Sequence, residues 1–295
     1  MSNPFFIVDV FAETRYTGNP LAVVINTTSF TESIMQTIAA EMDFSETTFI
    51  TPVPDKDGGY RVRIFTPTHE VAFAGHPILG SAHILRDYMT HEDNNEIKIN
   101  LNDCQILVTF ESYSFNKSIS WFRAPPMSLG LTSDPQPVAE ALDISLKDLD
   151  TKSPIQVISA GTSALIVPLC SLEALRQSKL NLEKYSLLTA KGFPPLIYLF
   201  TRETYERKNN LCARFFFESN GVREDPATGN GAAFLGLYLL EHNLLSSSDI
   251  SIRIEQGHEV QRPSLIHLRA HLLNNEYQIH IGGQVINIVQ GNLVQ

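Results

Sequence analysis

The residues best suited to chemistry stand at two glycine-led starts of apolar segments and at one carboxylate between them and the N-terminus. Asp225-Pro226-Ala227-Thr228-Gly229-Asn230-Gly231 follows a strand-like run and precedes a helical one. A helix start of this kind presents backbone N–H groups reinforced by the helix dipole, so it predicts an anion site with a carboxylate as its natural guest. The plainer alternative is that Thr228 only caps the helix while the glycines turn the chain. A dinucleotide fingerprint is a poor fit, because Phe234 stands where the third glycine is needed. Gly75-His76-Pro77 opens the other segment. A histidine at a helix N-terminus tends to stay neutral, able to donate one hydrogen bond and accept another. Read alone, however, His76 is more often a satisfied turn residue. Glu46 enters the apolar strand Thr47-Thr48-Phe49-Ile50, whose flanks would desolvate a carboxylate and bring it towards the range of a working acid/base. Taken locally, a solvated strand-end glutamate is the simpler reading. His69, His76 and His83 are evenly spaced, but they fall on a strand, a turn and a helix, which argues against a shared metal.

The elements that must position these residues occur twice. Thr17-Gly18-Asn19-Pro20-Leu21-Ala22-Val23-Val24 matches Ala160 to Val167, Thr48-Phe49-Ile50-Thr51 matches Tyr198 to Thr201, Tyr60 to Phe65 matches Leu211 to Phe216, and Gly75 to Ala82 matches Gly229 to Gly236. The order is kept and the separation drifts slowly, from 143 between Gly18 and Gly161 to 154 between Gly75 and Gly229. This predicts two pseudo-symmetric α/β lobes, each a curled sheet around a central helix and related by an approximate two-fold axis, with the active site in one cleft. The central helices are expected from Pro77 to about Tyr88 and from Gly231 to about Leu240, since both are apolar or small almost all round. Arg123-Ala124-Pro125-Pro126 is the expected crossover. The first lobe then covers 1–124, with 285–295 possibly returning to it, and the second covers 125–284. Helices are expected from Ser133 or Asp134 towards Leu142 and from Ser171 to Gln177, and strands over Ser251–Glu255, Ser264–Ala270, Tyr277–Ile281 and Val285–Val289, with Gly282-Gly283 as a turn.

Bulk properties narrow the partners. The 295 residues are 43% hydrophobic, enough for a sizeable core, and the net charge of −10 without basic clusters argues against nucleic acid. Cys104, Cys170 and Cys212 are scattered, which suggests neither a disulfide framework nor a CxxC metal site. The run Phe5-Phe6-Ile7-Val8 is broken by Asp9 and is not a signal peptide, and no stretch is long and apolar enough for a membrane helix. A soluble, cytoplasmic protein is expected.

The ordered set Asp9-Val10-Phe11, Gly18-Asn19-Pro20, Ser45-Glu46-Thr47, Arg63-Ile64-Phe65-Thr66-Pro67, Glu70-Val71, Gly75-His76-Pro77, Glu224 to Gly229, Glu255-Gln256-Gly257 and Arg262-Pro263-Ser264 resembles the phenazine-biosynthesis (PhzF-like) isomerase family over nearly the whole chain. The resemblance implies the diaminopimelate epimerase-like fold and a homodimer. It also implies a reaction without a cofactor, in which a glutamate moves a proton between carbons of a small carboxylate. That glutamate matches Glu46, with His76 and Asp225 orienting the substrate. Gly75, Gly229 and their neighbours Asn19, Pro77, Thr228, Asn230 and Gly231 would bind it. Asn230 replaces a serine common in the family, and Pro77 also departs from the ring isomerase's usual helix start. Two alternatives remain at this point: racemisation using Glu46 and Asp225 as opposed bases, and a silent binding protein of the same fold. The two-thiol chemistry of related epimerases does not fit, since none of the three cysteines lies in either helix start.

Overall fold

A computed structural model describes residues 3–90, 95–114, 117–219 and 221–294. The chain divides into one unit formed by Met1–Arg123 with Gly282–Gln295 and a second formed by Ala124–Ile281.

The first unit runs β1 (Asn3–Val10), β2 (Asn19–Ile25), α1 (Glu32–Met42), β3 (Glu46–Ile50), β4 (Tyr60–Phe65), β5 (Glu70–Val71), α2 (Gly75–Ile84), β6 (Glu96–Asn100), β7 (Gln105–Ser114) and β8 (Lys117–Arg123). Strand β2 is antiparallel to β1 and parallel to β3, while β4 is antiparallel to β3 and β5. Strand β6 is parallel to β4, and β7 returns antiparallel between β6 and β8. The sheet curls around α2, which touches β1, β2, β3, β6, β7 and β8 and is buried at every position. A helix so enclosed has no need of a polar stripe, which is why its sequence lacks one. Gly80 makes the close approach possible: a Cβ there would lie 2.5 Å from Leu21 and 3.1 Å from both Val8 and Val10.

The outer face of the same sheet is covered by α1. Thr31 caps this helix by accepting the Ile34 N–H at 3.3 Å, and Met35 and Ala39 then pack on Val24, Phe49 and Phe65. With helices on both faces, the strands read as apolar runs rather than alternating ones. Arg63 fastens the layers, holding Glu70 of β5 through two hydrogen bonds (2.8 and 2.5 Å) and Glu32 of α1 through a third (2.9 Å).

The second unit repeats this plan with insertions. Its elements are β9 (Ser128–Ser133), α3 (Pro135–Ala141), β10 (Ile155–Ala160), β11 (Thr162–Pro168), α4 (Leu172–Gln177), α5 (Leu182–Ala190), β12 (Leu196–Thr201), β13 (Leu211–Ser219), β14 (Val222–Asp225), α6 (Gly229–Glu241), β15 (Asp249–Gln256) and β16 (Ser264–Leu273), followed by β17 (Glu276–Gly283) and β18 (Val285–Leu293). Strands β10 and β11 are antiparallel, β11 and β12 parallel, and β12, β13 and β14 successively antiparallel; after α6, β15 runs parallel to β13 and antiparallel to β16. That is the pairing sequence of the first unit, strand for strand. Helix α6 is buried from Gly231 through Leu239 and touches β10, β11 and β16. Helices α3, α4 and α5 cover the other face over a core that includes Val138, Leu165, Leu175, Leu188, Leu199 and Phe216. Strand β18 returns to the first unit, antiparallel to β1.

Several expectations need correction. Gly282 and Gly283 do not turn the chain; they end β17, and only Gln284 separates it from β18. They are glycine because a Cβ would meet Trp121 at 2.5 Å and Phe11 at 2.3 Å respectively. The first central helix is α-helical only to Ile84, and Leu85–Thr90 continue it as a wider π turn. Helices α1 and α5 were not expected at all, because short outer helices on a shared sheet carry weak periodicity of their own.

Candidate active site

In the first unit, the period of two along β3 puts Glu46 and Thr48 on one face and Thr47 and Phe49 on the other. Phe49 belongs to the α1 layer, whereas the Thr48 hydroxyl receives a hydrogen bond from Ser81 of α2 at 3.0 Å. Glu46 therefore belongs to the α2 face, where His76 begins the helix. Glu46 Oε2 stands 3.4 Å from His76 Nε2, with the two side chains 18% and 6% exposed. On the other edge of the ring, Asn19 Nδ2 lies 3.4 Å from Nδ1. With the amide donating there, Nδ1 is the acceptor and the ring proton belongs on Nε2, facing Glu46. Burial strips solvent from the imidazole and pushes its pKa down to about 3, so the ring is neutral. Neutrality was expected from the helix start, but desolvation is its cause here. The structure thus brings together Glu46, His76 and Asn19.

Helix geometry leaves the first N–H groups of α2 without intrahelical acceptors, but Pro77 has none to offer, so only Gly75 and His76 supply donors. His69 lies apart, bonded to the Thr66 and Thr68 hydroxyls at an exposed turn, and His83 faces Asp87 at 3.4 Å further along α2. Among the described residues no His, Cys, Asp or Glu group is arranged to hold a metal ion.

In the second unit, β14 ends at Asp225 and α6 starts at Gly229. Thr228 occupies the N-cap position, yet its hydroxyl makes no bond to the helix backbone; it donates to Asp225 Oδ2 at 2.6 Å. Its N–H goes to Gln256 Oε1 at 3.2 Å. The capping alternative is therefore replaced by a different use of the same hydroxyl. Gly229, Asn230 and Gly231, as the first turn of α6, keep N–H groups with no intrahelical acceptor, one donor more than α2 provides. Gly231 also lets the helix sit on the ring of Tyr198, since a Cβ would come within 2.5 Å of it. Gln256 and Tyr198 were not singled out from sequence as site residues, because neither is charged and both lie within ordinary strand patterns. The usable signal was Gln256 standing next to a glycine at the end of β15 within a resembling motif.

Comparison with known proteins now fits onto this geometry. The family profile described as phenazine biosynthesis-like protein matches residues 8–291. The chain belongs to the phenazine biosynthesis-like family. Its curated relatives are named isomerases: an uncharacterised isomerase of Pasteurella multocida is 31% identical over 98% of this chain and 93% of that one. The trans-2,3-dihydro-3-hydroxyanthranilate isomerase of Pseudomonas chlororaphis is likewise 31% identical, over 98% of this chain and 99% of its own. Among solved structures, a Bacillus anthracis phenazine biosynthesis protein of the PhzF family superposes with a TM-score of 0.89 over 100% of both chains at 24% identity, a likeness of fold. The protein is thus an enzyme of an isomerase family. No described helix is long and apolar enough to cross a membrane.

Proposed function

We propose that this isomerase moves a proton between two carbons of a small unsaturated carboxylate without a cofactor, with Glu46 as the only acid/base. As carboxylate, Glu46 removes a proton from an activated C–H; the pair left behind forms a new double bond to the adjacent carbon while the π pair already there moves to the far carbon. As carboxylic acid, it returns the proton at the far end of that rearranged system, so the product is an isomer and the enzyme ends as it began. Neutral His76 stands beside Glu46 at its Nε2 edge without contributing a competing charge, and Asn19 contacts the ring at the Nδ1 edge. Asp225 orients the polar groups of the substrate. The N–H groups of Gly229, Asn230 and Gly231 suit a carboxylate, and that of Gly75 suits the negative charge that develops beside Glu46 during transfer.

The observation that carries this reading is the asymmetry of the repeat. Glu46 pairs with Leu21 in β3, and the residue in the same register of β12 is Leu196, paired with Ala164. His76 corresponds to Asn230, and Asp225 takes the place of Val71. A racemase needs two bases serving opposite faces of one carbon, and a duplicated frame supplies them most simply as symmetric counterparts. Here the counterparts are apolar or uncharged, which favours one base and transfer on one face.

The test incubates the protein in deuterated water with a panel of small unsaturated and amino carboxylates that includes trans-2,3-dihydro-3-hydroxyanthranilate, following both deuterium uptake and product. Product in which the double bond has moved, formed by the wild type and reduced by roughly 1000-fold or more in Glu46→Gln, is expected for loss of the reacting base. Equal turnover by Glu46→Gln, or inversion at a single carbon, defeats the proposal.

A further inference from the structure

The tripeptide Glu255-Gln256-Gly257 ends β15, and each residue grips a different part of the second unit. Glu255, 2% exposed, accepts the N–H groups of Tyr205 (2.7 Å) and Glu206 (2.9 Å) and the amide of Asn209 (2.6 Å), fixing the connection from β12 to β13. Gly257, at φ 80°, lies under the loop before α6; a Cβ would come within 2.4 Å of the carbonyl oxygens of both Pro226 and Arg262. Between them Gln256 is fully buried, and its amide makes four hydrogen bonds. Nε2 donates to the Asp225 carbonyl (2.9 Å) and to Thr228 Oγ1 (3.1 Å); Oε1 accepts from the Thr228 N–H (3.2 Å) and the Tyr198 hydroxyl (3.3 Å).

The direction of each bond is forced, because an amide nitrogen only donates and an amide oxygen only accepts. Having accepted from Gln256, the Thr228 hydroxyl is left to donate, and it does so to Asp225 Oδ2. We infer that Gln256 is a positioning residue of this isomerase: through Thr228 it sets the orientation of the Asp225 carboxylate and the pose of the first turn of α6. The inference rests on the proposed role of Asp225. Among the described residues, the first unit has no such relay. Asn100 stands beside Arg61 as Glu255 stands beside Cys212, so the next residue in register is Leu101, which has no polar side chain.

The experiment compares Gln256→Glu, Thr228→Val, Thr228→Ser and the double variant Gln256→Glu/Thr228→Val in the full chain. It measures kcat and KM per folded molecule on the carboxylate the wild type converts, the thermal midpoint, and amide hydrogen exchange across 225–231. Gln256→Glu puts an acceptor where Nε2 donates. It is expected to lose roughly 10- to 100-fold in kcat/KM, the scale of removing a supporting partner behind a functional group. Thr228→Val should match it, Thr228→Ser, which keeps the hydroxyl, should recover most of what Thr228→Val loses, and the double variant should be no worse than either single change, since both break one relay. Variants that lose thermal stability but keep kcat/KM make Gln256 a structural residue and overturn the inference. If the wild type converts no carboxylate in the panel, the functional reading fails separately, and exchange decides: faster exchange across 225–231 at an unchanged midpoint upholds positioning, and unchanged exchange refutes it.

Discussion

His76 gives the sharpest physical test, because its burial ties the stability of the first unit to pH. The folded ring has its pKa pushed down to about 3 by desolvation, whereas in the unfolded chain it returns to about 6.5. Unfolding therefore takes up a proton whenever the pH lies between those values, and stability from this group is fully present above about pH 6.5 and lost as the pH falls. At 1.36 kcal/mol per pH unit, moving from about pH 7.5 to about pH 5 removes about 2 kcal/mol, and nearer pH 4 about 3 kcal/mol. His76→Gln keeps a neutral polar side chain but cannot take the proton, so its stability should fall less over the same range. His83 is also pushed down by burial, and it titrates in both proteins, so it cancels in the comparison. The assay is urea unfolding followed through Trp121, the only tryptophan, which is buried in the same unit as His76. The stability gap between wild type and variant should move by about 2 kcal/mol in favour of the variant as the pH drops from about 7.5 to about 5. A gap that stays constant refutes the assignment of His76 as a buried neutral ring, and with it the tautomer that turns Nε2–H towards Glu46.

The frame offers further tests. Gly231→Ala gains helix propensity but drives a methyl into the buried Tyr198 ring, so a net loss of about 1–2 kcal/mol is expected by chemical denaturation, together with weaker turnover from the displaced start of α6. Gly257→Ala combines a left-handed backbone with two unyielding carbonyl oxygens, and should cost about 3 kcal/mol or more in the same measurement. Arg214→Ala leaves Glu224 buried without its partner and frees the carbonyls of Leu175, Arg176 and Ser178 behind α4; a loss of about 3–5 kcal/mol is expected, against little effect for an exposed pair such as Arg223 with Glu218.

Much of this architecture could be read from sequence because duplication makes a weak signal cooperative. Gly18 and Gly161 at the strand turns, and Gly75 and Gly229 at the helix starts, are individually ordinary; their shared order predicted two units built on one plan. What could not be read was anything decided by a neighbour distant in the chain. Gly282-Gly283 has the composition of a turn, and only the rings of Trp121 and Phe11 explain why those strand positions are glycine. Thr228 has the right type and place for a cap, and only Gln256, from another strand, shows why its hydroxyl turns to Asp225 instead. Glu46 looked like an exposed strand-end carboxylate until the sheet curled it towards α2 and His76.

The repeat also explains why the chemistry can be asymmetric without disturbing the fold. The residues that fasten each unit are duplicated: Arg63 holds Glu70 as Arg214 holds Glu224, and each arginine also ties its hairpin to the outer helices, through Glu32 of α1 and through the end of α4. Those positions must be filled in both copies for each sheet to keep its two layers. Glu46, His76, Asp225 and Gln256 are filled in one copy only, by Leu196, Asn230, Val71 and Leu101 in the other, and none of them carries the layers together. Each unit therefore had freedom to lose or gain a polar group at the start of its central helix. On the proposed reading, a duplicated frame that first offers two equivalent helix starts assigns proton transfer to one copy and the holding of an anion to the other.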